Sequence, residues 1–324
     1  MFRTELTIAV SQEKITLKNP ILTIGSCFAD AMGSRLKNFK FQTLVNPFGT
    51  VYNPISLHEL LQRSVHKQAL PANSFLQRDE VYYNYNLHSS FSSTQKEILT
   101  QQVQTTFESI LDFLKKTDVL MITYGTAWVY ERKDSGEMVN NCHKQPSALF
   151  TKRLLNQQEI ADSFSRLRSV LEDIRPNLRI ILTLSPVRHT KDTLELNSVS
   201  KALLRSSCYQ LSTEFNNVEY FPAYELLMDD LRDYRFYKSD LLHPSEEAEE
   251  YIWTKFSQAY FDEFTREFIK KWVGIRQDLN HRPFHQQSKA HQAFLRSLKS
   301  KLMELKDRVN VEEELQIIEK QLSN

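Results

Sequence analysis

Two places in this chain carry residue types that can do covalent chemistry. Ser26 and Cys27 stand side by side in the stretch Ile21-Leu22-Thr23-Ile24-Gly25-Ser26-Cys27-Phe28-Ala29-Asp30. A hydroxyl and a thiol both become nucleophiles once a neighbouring base takes the proton. Far downstream, Asp240-Leu241-Leu242-His243-Pro244-Ser245 sets a carboxylate and an imidazole three positions apart. An imidazole that moves a proton, and a carboxylate that orients it, complete the parts of an acyl-transfer site. Each segment also has a bland reading. Ser26 suits a helix N-cap beside a small buried Cys27. Asp240 and His243 suit a turn ahead of a helix starting at Pro244-Ser245. Taken alone, each segment favours its bland reading.

The surrounding patterns say what positions these residues. Leu6 to Val10, Ile15 to Leu17 and Ile21 to Ile24 read as strands, and Phe28, Ala29, Met32 and Leu36 follow at helical spacing. Further helices are expected over Ile55–Val65, Lys96–Lys116, Gln157–Ile174, Ser198–Phe215 and Glu246–Phe261. Runs at Asp118–Gly125, Arg179–Leu184 and Val218–Phe221 read as buried strands, the first ending at its glycine. Strands alternating with helices, joined by connections too long for hairpins, imply a parallel sheet covered on both faces. Open sheets of this kind carry their chemistry just past the carboxyl ends of the strands. Ser26 and Cys27 occupy such a place. Arg188 and His189, just past Leu184, occupy another and could clamp a substrate anion. Pro71–Ser93, aromatic and without a clear period, and Val129–Pro146 read as excursions that could wall a pocket.

Composition narrows the class. The 324 residues are 41% hydrophobic, enough for a sizeable core. With 41 basic and 40 acidic residues the net charge is +1, which argues against nucleic acid as a partner. No run is long and apolar enough for a membrane span. The first residues carry charges and show no secretory leader. Cys27, Cys142 and Cys208 are too few and too scattered for a disulfide framework. A cytoplasmic chain with reduced thiols is expected. The adjacent Cys142-His143 is a weak metal signal, so neither metal nor redox cofactor is expected. From about residue 262 the chain turns highly charged. Phe294, Leu298, Leu302, Leu305, Val309, Val311, Leu315, Ile318 and Leu322 recur there at spacings of three and four. That is a helical appendage, either docked on the main domain or paired with a second copy.

Gly25-Ser26-Cys27-Phe28-Ala29 matches the signature after which the GSCFA family is named. Residues 46–54 (NPFGTVYNP), 126–130 (TAWVY), 141–144 (NCHK), 184–189 (LSPVRH) and 240–244 (DLLHP) resemble the same family in the same order. The family is similar to SGNH (GDSL-type) hydrolases. That resemblance implies a three-layer α/β/α, flavodoxin-like parallel sheet and an esterase-like site. It implies that Asp240 and His243 are orienter and base. It makes the backbone N–H of Gly49 an oxyanion donor, and matches Gly125 to the glycine of a block whose asparagine would donate a second hydrogen bond. Ala127 stands in that asparagine's place. Asn46, Asn141 or His143 could substitute for it. The ungapped register puts Cys27 at the nucleophile position and Ser26 at the preceding aspartate. Ser26 keeps the role if the turn is one residue shorter. A thiol at a helix N-terminus near His243 is expected to have a depressed pKa.

The resulting expectation is a main domain over 1–262 and a helical extension over 263–324. The chain would be an ester hydrolase or acyltransferase acting on an acylated small molecule or glycan. The alternative is a catalytically degenerate domain that binds such a ligand without turnover.

Overall fold

The computed structural model describes residues 4–285 and 287–322. Five parallel strands form the central sheet: β1 (Ile21–Gly25), β2 (Thr43–Val45), β5 (Val119–Tyr124), β9 (Arg179–Leu184) and β10 (Val218–Phe221). Their spatial order is β10-β9-β5-β1-β2. β1, β5 and β9 are buried along their whole length, which is why they read as unbroken apolar runs.

Alternation along the strands sorts their side chains onto two faces. Leu22, Ile24, Leu120, Ile122, Ile180 and Leu182 face one cluster. It is completed by α2 (Pro54–Val65), α3 (Lys96–Leu114), α4 (Gln157–Ile174) and α5 (Leu194–Glu214). Ile21, Val119, Met121, Ile181 and Phe221 face the other cluster, against α1 (Cys27–Asn38) and α7 (Glu246–Tyr260). The result is the three-layer α/β/α architecture expected from the alternating pattern.

Sheet order also locates the topological switch point. After β1 the chain goes to β2 on one side, then returns to β5 on the other. The strand order therefore reverses between β1 and β5, and such switch points open a crevice at the carboxyl edge. Cys27 follows β1 and Gly125 follows β5.

Two antiparallel excursions interrupt the alternation. β3 (Phe75–Arg78) and β4 (Val81–Asn84) form a hairpin. β6 (Trp128–Arg132) pairs with β7 (Met138–Val139) and with β8 (Phe150–Leu154). Leu6 to Val10, expected as a strand, joins no ladder. Its neighbourhood is pinned individually instead, by Ser11 N–H to the Ala259 carbonyl and Leu6 N–H to the Asp230 carboxylate. Ile15 makes only an isolated bridge to Phe261.

The appendage docks on the domain. α8 (Glu263–Asn280), α9 (Lys289–Met303) and α10 (Glu312–Leu322) bury Trp272, Ile275, Leu298, Leu302 and Ile318 in the cluster that holds Met32 and Leu36 of α1. Trp272 Nε1 donates to the Asn38 carbonyl at 2.9 Å, and Lys40 pairs with Glu314 at 2.7 Å. The apolar stripe that made self-pairing an option is thus largely spent within the chain. Among the described residues, no helix is long and apolar enough to cross a membrane.

Candidate active site

The turn after β1 is built around Gly25. Its φ of +132° is open to glycine, and a Cβ there would stand 2.1 Å from the Thr123 carbonyl oxygen of β5. Asn46 clamps the turn from the other side. Its Oδ1 accepts the Gly25 N–H at 3.0 Å, and its Nδ2 donates to Asp30 Oδ2 at 2.9 Å. Ser26 is fully buried and caps α1, its Oγ accepting the Phe28 N–H. Cys27, the first residue of the helix, stays partly exposed. Of the two adjacent nucleophiles, the thiol is therefore the one that a ligand can reach.

The Cys27 thiol is pushed up from its ordinary pKa, contrary to the expected depression. Burial is the main cause and the nearby Asp30 carboxylate the second. The amides of Cys27 and Phe28 and the ammonium of Lys201 pull the other way. Loss of water thus outweighs the helix N-terminus. Asp30 itself is pushed up, chiefly by burial, against hydrogen bonds from Asn46 and Thr50.

Asp240 and His243 form the pair expected of them. His243 Nδ1 lies 2.6 Å from Asp240 Oδ2. Asp240 Oδ1 accepts the N–H groups of Leu242 and His243 at 2.9 and 3.0 Å. These amides, with the imidazole, hold the Asp240 pKa down to about 2. Leu241 adopts a positive φ of 58° to close the loop. Ser245 ends it as the N-cap of α7. The Arg188 N–H donates to the Leu242 carbonyl, which ties the loop to the segment after β9.

Cys27 and His243 are not hydrogen-bonded to each other. Lys201 acts on Cys27, Lys201 acts on His189, and His243 acts on His189. Burial first, then electrostatic repulsion from Lys201 and His243, depresses His189 to about 3, so the ring is neutral. Its Nε2 is buried without a partner and faces Gly125, where a Cβ would come within 3.3 Å. The Tyr52 ring meets the His189 ring edge to face at 5.1 Å. Gly125 thus lets two rings close over the end of β5.

The backbone donors expected for an oxyanion are engaged. Gly49 N–H donates to the Asn46 carbonyl at 2.8 Å, and Gly125 N–H to the Tyr52 carbonyl at 2.8 Å. Ala127 is buried, and its N–H donates to Ser200 Oγ at 2.7 Å. The Asn46 amide is committed to Gly25 and Asp30. Asn141 Oδ1 accepts the His143 N–H, and the His143 ring bonds the Asn84 carbonyl against Tyr83. His143 thus holds the two antiparallel excursions together. Arg188 has its guanidinium 4.3 Å from the Tyr237 ring centre and 5.3 Å from that of Tyr234. It lines a cleft of about 390 Å³ with Tyr224, Met228 and Arg232.

Lys201 was not anticipated. The signal lay in α5, where Asn197, Lys201, Leu204, Cys208 and Leu211 recur at helical spacing and are all buried. A lysine on the inward stripe of a helix is the anomaly to look for.

Comparison with known proteins bears on the chain as a whole. The model of the GSCFA family matches residues 20–256. That of the GSCFA domain protein, C-terminal domain, matches residues 272–324. No curated protein matches the chain.

Proposed function

This chain belongs to the GSCFA family, and from that premise we propose that it transfers an acyl group through Cys27, as an ester hydrolase or acyltransferase. The observation that carries this reading is the partly exposed thiol at the start of α1, on the same sheet edge as the 2.6 Å His243–Asp240 pair. In this mechanism the Cys27 sulfur attacks an ester or thioester carbonyl, and its proton passes to His243. The imidazolium then protonates the departing alcohol or thiol, leaving an acyl-Cys27. Water or an acceptor hydroxyl, deprotonated by His243, attacks that thioester and releases the thiol. Asp240 holds the imidazole orientation through both halves. The first amides of α1 favour negative charge near the reacting carbon. Acylated small molecules and acylated glycans are the substrate classes that this reading takes. Tyr234, Tyr237 and Arg188, next to the loop that carries His243, offer flat faces and a cation.

The engaged N–H groups of Gly49 and Gly125, with Ala127 in place of a side-chain donor, favour a second reading. In it the domain binds an acylated ligand without turnover. Turnover of a panel of chromogenic acyl esters by the wild type, Cys27→Ala and His243→Ala separates the two. Burst and steady-state release that both variants lose support acyl transfer. Ligand-dependent stabilisation with no turnover in the wild type supports the binding domain.

A further inference from the structure

The cleft that Arg188 lines encloses about 390 Å³, within the range of sites that hold one small ligand. Tyr237 is buried in it, and Tyr234, 61% exposed, presents an open ring 5.9 Å from the Tyr237 ring. The Arg188 guanidinium lies over both rings, which leaves the N–H groups on its edge for in-plane partners. Among the described residues neither Arg188 nor Arg232 forms an ion pair. Arg232 reaches the cleft from a π-helical turn, Leu226–Leu231, that ends with its N–H bonded back to the Leu227 carbonyl at 3.1 Å. It takes a φ of 44°, and both features are uncommon outside functional sites. Asp229 lies on the same turn, and Asp233 follows it, accepting the Arg235 N–H at 2.9 Å. The lining thus combines flat phenol rings with two guanidiniums and two carboxylates. A phosphate would be opposed by Asp229 and Asp233, and an ammonium by Arg188 and Arg232. A neutral polyol meets no such opposition, because each hydroxyl can donate to a carboxylate and accept from a guanidinium. The C–H face of a sugar ring is apolar and packs on the flat face of a tyrosine.

We propose that this cleft is a saccharide subsite, which holds a neutral sugar ring against Tyr234 and bonds its hydroxyls to Arg188, Arg232 and Asp229. The backbone joins it to the loop that carries His243. Arg188 N–H donates to the Leu242 carbonyl at 3.3 Å, Lys238 N–H donates to the His243 carbonyl at 2.8 Å, and Tyr237 forms a bridge with Pro244. The part that the sugar plays in the chemistry rests on the acyl-transfer reading. There His243 protonates the departing alcohol and deprotonates an attacking one. A sugar held beside the His243 loop is therefore the alcohol half of the ester, and acylated glycans stand ahead of other acylated small molecules as the substrate class.

The test is saturation-transfer NMR on the full chain with neutral methyl glycosides: the glucoside, the galactoside, the mannoside and the N-acetylglucosaminide. Concentrations up to about 20 mM cover the weak affinity of a lone sugar ring. Saturation transfer to at least one glycoside is expected. Tyr234→Ala is expected to weaken that binding roughly tenfold by removing the open ring face. Arg232→Gly is expected to weaken it roughly tenfold by removing a charged donor. Glycine adopts the φ of 44° freely, so this second variant keeps the turn. Transfer to none of the glycosides, or binding unchanged in either variant, overturns the proposal. Inorganic phosphate bound in place of every glycoside marks an anion site and overturns it too. Glycoside binding by a wild type that turns over no ester supports the saccharide subsite and sinks acyl transfer. Ester turnover by a wild type that binds no glycoside sinks the subsite and leaves acyl transfer standing.

Discussion

Asp240 binds His243 twice over: one carboxylate oxygen accepts the imidazole Nδ1 at 2.6 Å, and the other accepts the backbone N–H of the same histidine at 3.0 Å. The loop and the ring are therefore fixed by one side chain. This leaves Nε2 as the ring nitrogen that the proposed proton transfer would use, with the ring oriented through Nδ1.

Replacing Asp240 by Asn is expected to reduce kcat/KM for acyl transfer by about 10²–10⁴-fold, because the amide can stabilise the wrong tautomer and cannot stabilise an imidazolium. The pair lies at the surface, so thermal stability is expected to change little. Ester kinetics alongside a thermal melt check both. A variant that unfolds, or that keeps full activity, counts against an orienting role.

Acid is expected to destabilise the fold through two histidines. His58 is fully buried between Ser163 and Tyr124, at 2.9 and 2.7 Å, and burial depresses it to about 3. His189 is depressed to about 3 as well. Both folded values lie below the unfolded value of about 6.5, so the unfolded chain binds more protons between them. Their stabilisation is complete above about pH 6.5 and is lost as pH falls toward 3. The slope is about 1.4 kcal/mol per pH unit for each histidine across that window. Denaturant melts at several pH values check it. His58→Asn should flatten the slope.

Gly25→Ala is expected to be severely destabilising. The φ of +132° and the Thr123 carbonyl at 2.1 Å leave no place for a methyl group, and both obstacles are backbone. The expected readout is loss of soluble folded protein, or a loss of more than about 4 kcal/mol in denaturant titration. A Gly25→Ala chain as stable as the wild type would refute the described β1–α1 turn.

Trp272→Ala is expected to cost about 3–5 kcal/mol, since the ring is buried and its N–H serves the last turn of α1. A single, earlier denaturant transition is expected, because the appendage and the main domain share one cluster. Two separate transitions would show that the appendage is an independent unit.

The strand running into Gly25-Ser26-Cys27 was readable because β1 is buried on both faces, and full burial writes an unbroken apolar run. The Asp240 and His243 pairing was readable because both residues sit within one short loop. β8 was missed because only its ends, Phe150 and Leu154, meet apolar clusters, while Thr151, Lys152 and Arg153 between them are polar and break any apolar period. β3 and β4 are half-covered on both sides, so no period of two stands out. The division of labour between Ser26 and Cys27 was a matter of side-chain direction, which spacing does not encode. The raised thiol came from burial and Asp30, which only the folded neighbourhood brings together.

The most direct test of the account is to find where an acyl group lands. Wild type, Cys27→Ala and His243→Ala are each incubated with an activated acyl ester, and the peptides are mapped by mass spectrometry. Acyl transfer through Cys27 predicts a thioester on Cys27 in the wild type, none in Cys27→Ala, and strongly slowed labelling in His243→Ala. An acyl group on Ser26, or no labelling of the wild type at all, would contradict it.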